Sequence, residues 1–194
     1  MNRTSKTKSL IQIGIFAVIY TVVLVINVVL THFNPVTFVF LPVTLAISEG
    51  PVFALYMTRI QSKGMILALA IVVSFVLVAI GHIWTVLVIA AICGLLAEWI
   101  IGAGDYKDFK KITIGYAIFQ LWVMGIFTPI WLARDTYMAG LDKQMGENFS
   151  TTLAKLTPNW MFVGLMVLIV IGAIVGINLG KKACNQKFKN AGII

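Results

Sequence analysis

LIQIGIFAVIYTVVLVINVVL, residues 10–30, holds no charged side chain and is followed at once by a polar turn. A helix needs about 20 consecutive apolar residues to cross a bilayer, and this stretch supplies them. Five further segments meet the same criterion approximately: Val36 to Met57, Met65 to Ile80, Trp84 to Ile101, Ile112 to Leu132 and Trp160 to Leu179. The expected fold is therefore an all-α integral membrane protein of six transmembrane helices, in a single domain over residues 1–194. Composition agrees. Of 194 residues 60% are hydrophobic and 11% charged, against about 25% charged in soluble domains, and a water-soluble fold of this size has no way to hide so much apolar surface.

Orientation is read from Lys and Arg, which are retained near the cytoplasmic ends of spans. Arg3, Lys6 and Lys8 precede the first span, and Arg59 and Lys63 join the second to the third. Lys107, Lys110 and Lys111 join the fourth to the fifth, and Lys181, Lys182, Lys187 and Lys189 follow the sixth. Six spans put all of these on one side, so both termini are expected in the cytoplasm. Only Arg134, Lys143 and Lys155 fall opposite, in the long connection from Ala133 to Asn159. The net charge of +8 is dispersed between apolar segments rather than gathered on one exposed face, which argues against a nucleic-acid partner. Cys93 and Cys184 imply no disulfide framework.

Polar residues inside spans usually face the bundle interior or a wet cavity. Thr37, Thr44 and Ser48 share one helical face, and Asn27 and Thr31 are spaced i,i+4 near the outer end of the first span. They are read either as pocket walls or as interhelical hydrogen bonds. In the fifth span Tyr116, Gln120, Met124, Phe127 and Trp131 form a stripe leading to a kink expected at Pro129. Glu49 and Glu98 are the two acids within spans; with no base, metal triad or nucleophile beside them, a structural or subunit-contact role is expected. The connection 133–159 is long enough to be a lid or binding loop, with a short helix over Phe149 to Leu156 capped by Ser150.

His32 and His82 are the only histidines, and the topology places both outside. Imidazole is a common ligand of haem iron, with Met as an alternative, and Met138 and Met145 lie on the same side. Phe33, Phe38, Trp84 and Trp131 would line an apolar pocket, and Arg134 is available to a propionate. The bland alternative is boundary histidines that only hydrogen-bond. Substrate-binding candidates are thus His32, His82, Phe33, Asn27, Thr37, Trp84, Gln120, Met124, Trp131 and Arg134, the two histidines doubling as iron ligands.

Small-residue seams lie in the sixth span, Gly172-x-x-x-Gly176-x-x-x-Gly180, where packing within the chain is expected, and in the first, where Ala17 and Thr21 make a candidate face for docking a partner. The tract PVTLAISEGP, residues 42–51, and the closing stretch LGKKACNQKFKNAG, residues 179–192, with the basic N-terminus and six spans, resemble the substrate-binding S components of energy-coupling-factor (ECF) transporters, in particular the Trep-Strep, or MptD-like, group. The resemblance covers nearly the whole chain. It implies an S-component-like bundle in a bacterial plasma membrane that captures a scarce compound outside and associates with a transmembrane coupling subunit and two cytoplasmic ATPase subunits. It also implies that Ala17 and Thr21 match the face used for the coupling subunit, with Thr in place of the usual second Ala. ATP hydrolysis would belong to the partners, in keeping with the lack of a G-x-x-x-x-G-K-[ST] phosphate loop. No intrinsic cofactor and no enzymatic activity are expected; haem is the first choice of substrate and a flat vitamin or vitamin precursor the second. A membrane-embedded enzyme and a structural membrane subunit are the competing classes.

Overall fold

The computed structural model describes residues 3–193, with side chains from Leu10 onward; the side chains of the basic flank Arg3, Lys6 and Lys8 lie outside the described residues. All regular structure within it is helical. The helices are α1 (Arg3–Thr31), α2 (Pro35–Val39), α3 (Leu41–Ser48), α4 (Gly50–Arg59), α5 (Met65–Ala79), α6 (Thr85–Gly102), α7 (Phe109–Gln120), a 3-10 turn (Leu121–Val123), α8 (Met124–Phe127), α9 (Pro129–Leu132), α10 (Arg134–Met145), α11 (Glu147–Leu156), α12 (Asn159–Ala183) and α13 (Asn185–Asn190). Four stretches are long and apolar enough to cross a membrane: Leu10–Thr31, Leu41–Arg59, Thr85–Gly102 and Asn159–Ala183. The apolar α5, with 15 residues, reaches about 22 Å at 1.5 Å per residue.

Proline decides where the rods break. A proline in a helix interior has no N–H for the carbonyl four residues back, but is tolerated in the first turn. Pro35, Pro42, Pro51 and Pro129 each stand in the first turn of a new helix, and Pro158 is the N-cap of α12. The segment expected as one span from Val36 is consequently jointed at Phe40 and Glu49. The fifth expected span departs from α geometry earlier than its proline, at the 3-10 turn after Gln120.

The packing registers show how the rods run. Glu98 of α6 accepts from Ile66 N of α5 at 2.9 Å, and a Cβ on Gly94 would lie 2.7 Å from that of Ala70, so α5 and α6 are antiparallel. Asn27 bonds Ser48 and Phe16 stacks on Tyr56, so α1 runs antiparallel to α3–α4. The glycines of α12 climb the same pair in register: Gly172 against Val43, Gly176 against Ala46 and Ile47, Gly180 against Pro51 and Ala54. Hence α12 is parallel to α3–α4, and its seam is used within the chain.

At the end opposite the histidines, Glu98 is a clamp. It accepts from Gly64 N at 2.9 Å, Ile66 N at 2.9 Å and Leu67 N at 3.3 Å, and from the Tyr106 hydroxyl. Backbone donors left open by the first turn of a helix need such an acceptor. Asp105 and Tyr106 take left-handed φ values of 51° and 60°, a conformation uncommon outside glycine. The tail folds back beneath the bundle, with Phe188 buried edge-on to Phe109, Lys181 Nζ 4.2 Å from the centre of that ring, and Gln61 donating to the Ala191 carbonyl.

Two expectations are corrected. Ala17 is 4% exposed and the Thr21 hydroxyl donates to its carbonyl at 2.9 Å, so this pair does not form an outward face. The aromatic side chains Phe16 and Tyr20 turn that side of α1 into the core, leaving Val18, Val22 and Val25 outside. Ser150 is not an N-cap: α11 starts at Glu147 with Gly146 as its N-cap, whose φ of 89° and ψ of 157° suit glycine, and the Ser150 hydroxyl instead bonds Asp142 and Glu147 O.

Candidate functional site

His32 extends α1 by one bond, its N–H donating to Val28 O at 2.9 Å, before Asn34 caps α2 through Val36 N at 2.8 Å. The ring lies edge-on to Phe38, 6.0 Å between centroids. His82 is delivered by a different device. Gly81 has φ 106°, and the bonds His82 N to Leu77 O and Gly81 N to Val78 O, 3.0 and 3.1 Å, form the paired 6→1 and 5→2 closure of a helix end that requires a left-handed residue. The α1–α2 turn and the α5–α6 turn meet at the same end of the bundle.

Both histidines line one cavity of about 710 Å³, within the range usual for small-molecule sites. Val28, Phe38 and Leu41 form one wall, Ile80 to Ile83 a second, and Ile126, Phe127 and Pro129 a third. The remaining wall is α10, which turns Ala133, Thr136, Tyr137, Gly140, Leu141 and Gln144 inward, the spacing of one helical face. None of the lining side chains is charged. Burial lifts the Tyr137 phenol above its ordinary range, so it stays a hydrogen-bond donor at neutral pH.

The connection expected as a loop is thus a helical hairpin, α10 and α11, over the cavity. It is gripped at its base. Arg134 donates to Thr157 O at 2.8 Å and Ala154 O at 2.5 Å, and Trp131 Nε1 to Pro158 O at 3.2 Å. Asp142 and Ser150 tie the two helices near the turn, while Phe149 packs against Phe38.

Of the residues picked from the sequence, the structure brings His32 and His82 to the lining of one cavity, with Phe38 packed between His32 and Phe149 of the hairpin. Phe33 and Trp84 point away, 84% and 67% exposed. Asn27 donates to Val23 O and Ser48 Oγ, Thr37 to Thr31 O and Asn34 O; their donor groups are consumed locally. Gln120 donates to Glu49 at 2.6 Å in the core, where Met124 is also buried. Trp131 and Arg134 hold the hairpin, so Arg134 is not turned to the cavity, and Met138 and Met145 pack against the core. Among the described residues no third His, Cys, Asp or Glu joins the two imidazoles in a metal-binding group. Phe127 belonged to the sequence stripe but not to the site; Thr136, Tyr137 and Gln144 were missed, and their i,i+1,i+8 pattern within 133–159 was the one available signal.

The family described as hypothetical bacterial integral membrane protein (Trep_Strep) matches the chain over residues 7–190. No curated protein and no solved structure matches it.

Proposed function

The chain belongs to the Trep_Strep family of hypothetical bacterial integral membrane proteins, and on that premise we propose that it is the substrate-binding subunit of an ECF-type importer that captures haem from outside the cell. The observation that carries this reading is the meeting of the only two histidines in one uncharged, aromatic-walled cavity. Two imidazoles are a usual ligand set for haem iron, and the apolar walls from Phe38, Phe127 and Ile126 suit the faces of a porphyrin. In this reading the six apolar rods all cross the membrane, both termini lie in the cytoplasm, and the cavity opens outward, opposite the lysine-rich end. The ligand's carboxylates stay at the mouth, because no cation is among the described residues that line the cavity and Arg134 is engaged by carbonyls. A coupling subunit and two ATPases supply the energy.

Titration of the purified protein with haem tests the proposal. A specific Soret shift is expected in the wild type, and His32→Ala and His82→Ala are each expected to weaken binding at least about tenfold, or roughly 1.4 kcal/mol. Unchanged spectra and affinity in both variants sink the haem assignment. A second reading, a flat vitamin or vitamin precursor, is favoured by Thr136, Tyr137 and Gln144, which offer hydrogen bonds without charge. It predicts that Tyr137→Phe weakens binding more than either histidine variant.

A further inference from the structure

Glu49 sits at the joint between α3 and α4 with no exposed surface. Its Oε2 accepts from Gln120 Nε2 at 2.6 Å, whereas its Oε1 and the Gln120 Oε1 are both buried without a partner. We infer that Glu49 and Gln120 form a proton-binding site: the acid carries a proton on Oε1 and pairs head to head with the amide, giving N–H···O on one edge and O–H···O on the other.

The pattern of unserved atoms carries the inference. An ionised carboxylate facing a primary amide makes one hydrogen bond and leaves two acceptors with nothing to accept. One added proton converts one of them into a donor and serves both. Leaving them open in a buried core costs the desolvation of each group, and an unpaired buried carboxylate costs far more.

Among the described residues the surroundings provide no cation in its place. Tyr20 from α1 and Tyr116 from α7 lie within electrostatic reach of the carboxyl, with Tyr56 of α4 near Tyr20. The Tyr116 hydroxyl is spent on Ala46 O at 2.8 Å, and that of Tyr20 is itself unpartnered. From α12 the residues packed on the joint at Gly50 are Gly176 and Gly180, neither of which has a side chain to offer. An acid in such a place is held there by a proton, and losing it puts a charge into the contact between the α3–α4 joint and α7. The site is separate from the histidine cavity and does not depend on what that cavity binds.

Infrared difference spectroscopy of the full chain in lipid, wild type minus Glu49→Gln at pH 7, reads the site directly. The expected result is a carbonyl stretch of a protonated carboxyl group that is lost in Glu49→Gln, moves in deuterium oxide and shifts in Gln120→Leu. The wild type titrated alone gives the same reading without any variant: the band persists above the pH at which surface carboxylates have ionised. Absence of the band at pH 7, or its survival in Glu49→Gln, overturns the inference. So does its appearance only when sodium and potassium are removed, which would identify a metal-cation site.

Discussion

Gly176→Ala is expected to destabilise the folded protein by about 3 kcal/mol or more, the upper end of what overpacking costs. A Cβ there would stand 2.5 Å from Ala46 O and 2.6 Å from Ile47 O. Both are main-chain atoms, so no rotamer change relieves the overlap. The Ile47 carbonyl is the one that Pro51, lacking an N–H, cannot serve, and the bare glycine lets α12 lie directly on it. Thermal unfolding in detergent should show a fall of roughly 6–12 °C for a chain of this size. Gly14→Ala is the control. Its new methyl group meets nothing within 4 Å, and the gain in helix propensity, up to about 1 kcal/mol, should leave the midpoint unchanged or higher. Equal midpoints for the two variants would mean that α12 does not rest on α3–α4 as described.

Glu98→Ala removes the acceptor for three backbone N–H groups and one phenol. Hydrogen bonds to a charged group contribute about 1.5–3 kcal/mol each, less where water can substitute; with Glu98 half-buried, a total loss of about 2–4 kcal/mol is expected. Glu98→Gln keeps one acceptor oxygen and should fall between. The clamp also has a signature in alkali. Burial, then the hydrogen bond from Tyr106 to Glu98 and the charge of that carboxylate, hold the Tyr106 phenol above its ordinary value of 10.0. A group raised in the folded state contributes stability that is complete below its unfolded value and lost as pH climbs through the folded one. The wild type should therefore lose stability above about pH 10 by an increment that Tyr106→Phe does not show. A wild type and Tyr106→Phe with the same alkaline profile would remove Tyr106 from the clamp.

The apolar rods and the turns between them were legible in the sequence because hydropathy and proline act locally. Met65 to Ile80 and Trp84 to Ile101 match α5 and α6 nearly residue for residue, and Gly81 announced the turn that sets His82. What eluded the sequence depends on partners far along the chain. Thr37 shares a face with Thr44 and Ser48 only if residues 37–48 form one straight helix; the joint at Phe40, just ahead of Pro42, breaks it, and each hydroxyl turns to a carbonyl close by. Arg134 looked like a free cation because nothing local reveals that the chain returns 20 residues later with open carbonyls at Ala154 and Thr157. Ala17 looked exposed because small residues carry no sign of which side of a helix the neighbouring aromatics will bury. The α10 wall was hidden by composition: its inner face mixes Ala, Thr, Tyr, Gly, Leu and Gln, too polar to read as lining.

The hairpin over the mouth is fastened by Arg134 and Trp131 to the main-chain oxygens of Ala154, Thr157 and Pro158. Every amino acid offers such an oxygen. Relatives of this chain are therefore free to exchange the outward side chains of the returning helix, altering what first greets an arriving molecule, while the clasp and the chamber beneath it keep their shape.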